Sequence, residues 1–372
     1  MKSSGHDYLG RSNAPGTLSI WVHHLNSIEH HADEFTLGGS GTVLKGSAIT
    51  VGGGTTLDEI YKATDKFNET AIGGLARTVS VGGYVTGGGH SALSPRYGLA
   101  ADNILEMEVV TAGGQILTVN QDQHQDLFWA LRGGGGSTFG VITSMTMKTF
   151  PSPKITQVGL IVLAKPGDPI LPDVIGYIAS QIPYLMDSGV SGYSYVGPNL
   201  QNPLPPGTGL PPQIAGMLGK FVVQDQGAAE AQKIFKPLND TIVQRWKGEA
   251  KMFLLAQEYP SFYSWVSANY DEDPTGHSVW LASRLLGNNF LSGDEKTIGN
   301  ALWNASGDVG RLALFLLGGK GVQNAQPAGG SDAVNPAWRK AYVHSCKLPC
   351  IFHARTQTNQ ENRRRSDLRA LQ

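Results

Sequence analysis

The 372-residue sequence predicts a mixed helix-and-strand protein in two parts, and three observations carry that reading. The N-terminal part is rich in glycine and in strand-length runs of β-branched and aromatic residues. Pro151 and Pro153 close the last of those runs. Beyond them glycine thins out and longer amphipathic stretches begin. The division falls there, with a first domain over residues 1–153, a second over 154–344, and a polar, basic tail over 345–372.

Five strands are predicted in the first domain: Thr17–Val22, Ala48–Val51, Ile104–Thr111, Ile116–Val119 and Val141–Phe150. Ala112-Gly113-Gly114-Gln115 joins the third and fourth as a hairpin. Thr56-Leu57-Asp58-Glu59 is a capping box, and Leu57, Ile60, Tyr61 and Thr64 then share one helical face. A shorter helix is expected over Asp126–Arg132. In the second domain the amphipathic stretches are Ala228–Phe235 and Lys247–Glu258, and Tyr193 and Tyr195 alternate on a candidate strand, where packing is their simpler role. The proline- and glycine-rich segment 199–212 reads as a loop at the rim of a ligand cavity.

Composition excludes several function classes. Hydrophobic residues make up 40% of the chain, which argues for a folded core. Lys and Arg total 29 against 30 Asp and Glu, so no summed positive field exists to hold nucleic acid. No run of about twenty apolar residues is present to span a membrane. The first residues lack the basic, apolar pattern of a secretory leader, and three sequons, at Asn68, Asn239 and Asn304, leave localisation open. Cys346, Cys350, His344 and His353 have zinc-ligand chemistry, but no second cysteine pair exists and Pro349 interrupts their presentation. His23, His24, His30 and His31 are a second histidine-rich grouping. No metal is predicted at either place.

No G-x-G-x-x-G follows a strand, and neither a P-loop nor a G-x-S-x-G elbow occurs. The glycine clusters Gly52-Gly53-Gly54 and Gly133 to Gly136 would each pass as hairpin corners alone. Their order is more telling. Ser3-Ser4-Gly5-His6-Asp7 is followed by Gly82-Gly83-Tyr84-x-x-Gly87-Gly88-Gly89-His90, by Arg96-Tyr97-Gly98-Leu99-x-x-Asp102-Asn103, and by Asp126-Leu127-Phe128-Trp129-Ala130-Leu131-Arg132 leading to Gly140-Val141-Ile142. Glycine-rich backbone of this kind can approach a large anionic cofactor closely and present N–H groups to it.

That series resembles the PCMH-type FAD-binding domain of the oxygen-dependent FAD-linked oxidoreductases, the berberine-bridge-enzyme-like branch of the vanillyl-alcohol-oxidase superfamily. The wording is most similar to fungal secondary-metabolism members, those of alkaloid pathways among them. The resemblance implies an α+β fold in which the FAD-binding domain is followed by a substrate domain with an antiparallel sheet backed by helices. It implies FAD as cofactor, held by Ser3, Ser4, Gly5, His6, Asp7, Gly82, Gly83, Tyr84, Gly87, Gly88, Gly89, His90, Gly98, Leu99, Asp102, Asn103, Gly140, Val141 and Ile142. His6 corresponds to the histidine that is joined through an imidazole nitrogen to the flavin 8α-carbon.

Ala76 stands where many relatives carry a cysteine that makes a second covalent link, so that link is excluded. Tyr84 replaces a histidine of plant relatives. The implied reaction is hydride transfer from a small-molecule substrate, such as an alkaloid precursor, to flavin N5, with O2 as electron acceptor and the catalytic base unassigned. Relatives carry a further β-rich subdomain before the Gly-His pair and a different C-terminal segment. An alternative reading is therefore a shortened, inactive remnant that does not retain flavin, with a tail from Ser345 that lacks a packed place.

Overall fold

The computed structural model describes residues 1–12, 14–136, 138–204, 210–271, 281–307 and 310–347. The chain divides into two compact units. Of the described residues, the first takes in those within 1–154, 259–276 and 320–339, and the second those within 155–258, 277–319 and 340–372. The first unit thus includes two later returns of the chain, 259–276 and 320–339, which no division at a single sequence position would capture.

The first unit is built on a five-stranded sheet, ordered Ile28–His31, Ala48–Gly52, Val141–Lys148, Ile104–Val110, Ile116–Asn120. Every neighbouring pair in it is antiparallel. Its strands bury Ile49, Val51, Ile104, Met107, Val109, Ile142 and Met147 completely. The expected capping box opens helix Leu57–Asp65: Thr56 accepts from the Glu59 N–H, and the Glu59 carboxylate accepts from the Thr56 N–H. Leu57, Ile60, Tyr61 and Thr64 are its buried face. Helix Gln125–Leu131 and the hairpin after Val110 also form where the sequence places them.

One expected strand is absent. Thr17–Val22 is not a strand: only Trp21 pairs, by a single bridge to Lys2, because the segment lies along the N-terminal loop rather than in the sheet. The stretch Lys247–Glu258 contains a strand, Lys251–Tyr259, whose side chains alternate between exposed and half-buried as period two requires. The triplet Gly52-Gly53-Gly54 turns the chain, with the Thr55 N–H donating to Gly52 O at 3.0 Å, and leads from a strand into a helix rather than into a second strand. A Cβ there would lie 2.1 Å from Leu25 O, 2.2 Å from Ile142 O and 2.0 Å from Val22 O, so three backbones cross where only glycine fits.

The second unit carries a seven-stranded sheet, ordered Lys251–Tyr259, Ile155–Ala164, Gln213–Gln224, Val190–Gln201, Leu312–Leu316, Ala341–Lys347, Ala282–Gly287. Helices Leu171–Asp187, Ala228–Trp246 and Glu295–Gly307 cover one face, packing Val174, Ile178, Phe235, Ile242 and Leu302 onto Val158, Leu160, Phe221 and Leu314. Ala228–Phe235 is thus only the start of a helix that continues to Trp246. The segment 199–212 begins in strand Val190–Gln201 and ends just before Gln213, and residues 205–209 lie outside the described residues. Ser345, Cys346 and Lys347 are not an unpacked tail. They end strand Ala341–Lys347, buried between two neighbouring strands. The rest of that stretch, with Cys350 and His353, lies outside the described residues.

Candidate functional site

The N-terminal loop is pinned along its length. Lys2 donates to Ile20 O at 2.8 Å and accepts from the Val22 N–H at 3.0 Å, and Trp21 Nε1 donates to Ser3 O at 3.2 Å. Ser4 Oγ accepts from the Ser80 N–H at 3.2 Å. His6 Nε2 lies 2.8 Å from Thr78 Oγ1. Asp7 is a local turn group, accepting from the Leu9 N–H at 3.0 Å and from Arg11 Nε at 2.8 Å. Partial burial opposes ionisation of Asp7, but the Arg11 and Leu9 bonds outweigh it and hold its pKa below the ordinary value. Burial lowers the pKa of His6, while the Asp271 carboxylate pulls the other way.

These contacts bring Ser3–His6 against the segment that enters the glycine run. Ser80 is the N-cap of the short helix Val81–Thr86, yet its hydroxyl donates to Gly54 O at 3.1 Å and leaves the helix start uncapped. Among the described residues the N–H groups of Gly82 and Gly83 have no protein acceptor, as the first turn of a helix dictates. A Cβ at Gly83 would meet nothing within 4 Å, whereas one at Gly82 would lie 2.8 Å from Gly53 O. One face of this turn is therefore packed into the sheet and the other lies open. Ile142 joins the same neighbourhood, because its O sits against Gly53 and Thr143 O accepts from the Gly53 N–H at 2.9 Å, whereas Gly140 and Val141 lie beside Val109 and Val110.

Other expected site residues have structural work. Tyr84 donates its hydroxyl to His90 O at 2.5 Å. Gly88 and Gly89 accept from the Ala101 and Ala100 N–H groups at 3.0 and 2.8 Å, and Gly87 ends the helix. His90 lies 6.3 Å from Trp338 between ring centres. Gly98 has φ +86°, a backbone that favours glycine. Asp102 accepts from the Leu99 N–H at 2.7 Å and is gripped by both terminal nitrogens of Arg339, at 3.0 and 2.7 Å. Arg339 also donates to Asp332 at 2.9 Å. Asn103 donates to Tyr97 O and Leu99 O at 3.0 and 2.8 Å. The side chains of Asp102 and Asn103 thus hold the turn 97–103 and the return 320–339.

Thr78 and Asp271 were not singled out by the sequence, and Gly53 and Gly54 were read there only as turn glycines. Thr78 lay two residues from Ala76, but only the missing cysteine drew attention there. Asp271 is far away in sequence and nothing local marks it. Among the described residues no group of three or more His, Cys, Asp or Glu is arranged to hold a metal ion. His23 and His24 pack with Trp21 at 5.4 and 5.2 Å, and His30 lies 2.9 Å from Glu69.

In the second unit Tyr193 and Tyr195 share the sheet face opposite the helices. Tyr193 pairs with Phe315, which pairs with His344. Both tyrosine rings meet Phe315 edge-on, at 5.2 and 5.8 Å, and the Arg311 guanidinium lies 5.0 Å from the Tyr195 ring centre. Burial pushes the His344 imidazole down to about 4 and the Cys346 thiol up to about 12, so this pair is neutral near pH 7.

An uncapped glycine turn beside a serine- and histidine-bearing loop, set on an antiparallel sheet, presents backbone N–H groups of the kind that meet an anionic group. Residues 1–120 match a family model described as an FAD binding domain. An FAD-linked oxidoreductase, easE, of Arthroderma benhamiae is 34% identical over 396 residues, covering 100% of this chain and 73% of that protein. An uncharacterized FAD-linked oxidoreductase of the same fungus is 35% identical over 92% of this chain, and apf9 of Gibberella fujikuroi is 33% identical over 92%. This chain spans 58% and 59% of the length of those two proteins. The VAO-type flavoproteins MtVAO713 and MtVAO615 of Myceliophthora thermophila C1 superpose with TM-scores of 0.86 and 0.80, each at 26% identity, over 97% and 98% of this chain and 64% and 63% of theirs. The chain belongs to the FAD-linked oxidoreductase family, with the VAO-type fold, and FAD is the cofactor of that family.

Proposed function

We propose that the protein is an FAD-dependent enzyme that oxidises a small organic molecule and carries its flavin on His6. The observation that carries this reading is the His6–Thr78 bond of 2.8 Å beside the uncapped Gly82–Gly83 turn. The residues fit the cofactor. Backbone N–H groups of Gly82 and Gly83 would meet the pyrophosphate, the open side of Gly83 leaves room for it, and the hydroxyls of Ser3 and Ser4 lie on the same loop. When bound, FAD supplies the two-electron acceptor for hydride removed from a substrate C–H bond, and O2 regenerates it with release of hydrogen peroxide.

The protein's part is orientation. Thr78 holds Nε2 of the imidazole, which leaves Nδ1 as the nitrogen for attachment. The lowered pKa of His6 keeps the ring neutral, with a lone pair on one nitrogen, at neutral pH. With Ala76 in place of a cysteine, one covalent anchor is all this chain can make. On the second unit, the face bearing Tyr193, Tyr195, Phe315 and His344 offers aromatic walls and two phenols to an organic substrate, a mixture typical of small-molecule sites. The substrate class we assign is a secondary metabolite, as the sequence resemblance implies.

The test is acid precipitation of the purified protein followed by flavin spectroscopy of pellet and supernatant. Flavin that stays with the wild-type pellet, and is lost from the His6→Ala pellet, supports the assignment. Protein that takes up no FAD contradicts the cofactor reading, and flavin retained covalently by His6→Ala contradicts the anchor.

A further inference from the structure

A second concavity in the first unit shares no residue with the loop 3–7 or the turn 78–83. It has a volume of about 640 Å³ and lies between helix Ser94–Tyr97, the end of strand Val141–Lys148 and helix Lys320–Gln323. That is within the usual size of a small-ligand site, about 300–1,000 Å³. Arg96, Lys148 and Lys320 line it. Among the described lining residues the one acid, Asp102, is held bidentately by Arg339. Three cations therefore share one cavity in a chain whose formal net charge is −1.

The wall of this cavity is aromatic. Tyr97 and Phe150 stack at 4.2 Å with 28° between their planes, and the Arg96 guanidinium lies 5.1 Å from the Tyr97 ring centre. Stacked rings beside a guanidinium attract a further planar group by dispersion and cation–π contact. One exposed lysine binds an anion weakly in water, but three cations around one concavity match the charge of about −1.5 to −2 on a phosphate ester.

We propose that this cavity binds a small planar phosphate ester, with its phosphate met by Arg96, Lys148 and Lys320 and its ring set against Tyr97 and Phe150. The cations and stacked rings of this site are not among the residues assigned to the flavin, although Asp102 and Asn103, which also line it, are.

Calorimetric titration of the full chain, as isolated, with phenyl phosphate tests this, with inorganic phosphate and phenol titrated in parallel. Saturable binding of one phenyl phosphate per chain is expected, at least about tenfold tighter than either half-molecule. Lys148→Gln and Lys320→Gln should each weaken it by about three- to tenfold, and raising the salt concentration should do the same. Phe150→Leu should weaken phenyl phosphate while leaving inorganic phosphate unchanged. Lys45→Gln, at an exposed position outside the cavity, should change nothing. No saturation, equal affinity for inorganic phosphate, or lysine variants that bind as wild type would each overturn the proposal. Displacement of phenyl phosphate by excess FAD would make the cavity part of the cofactor site and would overturn it as a separate one.

Discussion

Thr78 is the residue on which the cofactor reading turns. Its hydroxyl is the one polar group bonded to the His6 ring among the described residues, and in the function proposed above it decides which nitrogen is left for the flavin. Thr78→Val keeps the shape and removes the bond. Covalent flavin, measured as the flavin fraction that survives denaturation, is expected to fall severalfold, and Thr78→Ser is expected to restore most of it. Glu69 makes a different kind of contact, as a structural pin that accepts from Thr149 at 2.6 Å and from Ser47 at 2.8 Å and lies 2.9 Å from His30. Partial burial disfavours its charge, but these three bonds outweigh that and lower its pKa from the ordinary 4.5. A carboxylate with a lowered folded pKa adds stability above its unfolded value and loses it as the pH falls through the folded one. Glu69→Gln should therefore cost about 1–2 kcal/mol at pH 7 and progressively less below about pH 4, as urea unfolding across that range would show.

At the scale of elements, glycines mark where backbones touch. In the second unit helices Leu171–Asp187 and Glu295–Gly307 cross at Gly176 and Gly299, where a Cβ would lie 2.0 Å from Glu295 O and 1.9 Å from Pro172 O. Gly307, at the end of the second helix, has open space. Gly299→Ala should destabilise the protein by about 2–3 kcal/mol, whereas Gly307→Ala should be neutral or slightly stabilising, by thermal unfolding. Local signals made several elements legible: the capping box at Thr56, the hairpin after Val110 and the strand ending at Lys148 depend on residues within a few positions of one another. Lys251–Tyr259 was harder, because its alternation is hidden among charged residues and short apolar runs. Thr17–Val22 has strand composition, yet its neighbours in space are the first residues of the chain, which no local pattern reveals. The glycine run around Gly82 was recognised for its chemistry, while its helical form, six residues long, was not.

For the molecule as a whole, the first unit is discontinuous in sequence, and one arginine ties its last segment to the rest. Arg339 joins Asp102 to Asp332, and both carboxylates are almost fully buried. Burial and the neighbouring Asp102 push Asp332 up to about 6, against the pull of Arg339. Removing the arginine leaves two buried carboxylates without their cation. Arg339→Met should cost about 3–5 kcal/mol, and hydrogen exchange should quicken first in segment 320–339. That long-range tie was not legible in the sequence: an Asp-Asn pair after a glycine motif carries no mark of a partner 237 residues away. The loop Ser3–Asp7 and the turn at Gly82 were legible because their glycine and histidine spacing is local, and the structure brings them together through Ser4, Thr78 and Ser80.

The central claim, that this chain holds FAD through His6, is tested most directly by the mass of the denatured protein. A mass increased by one covalently bound FAD, on a peptide containing His6 and absent from His6→Ala, is the predicted result. Wild-type protein reconstituted with FAD that shows only the mass of the bare chain, or flavin found on any other residue, would contradict it.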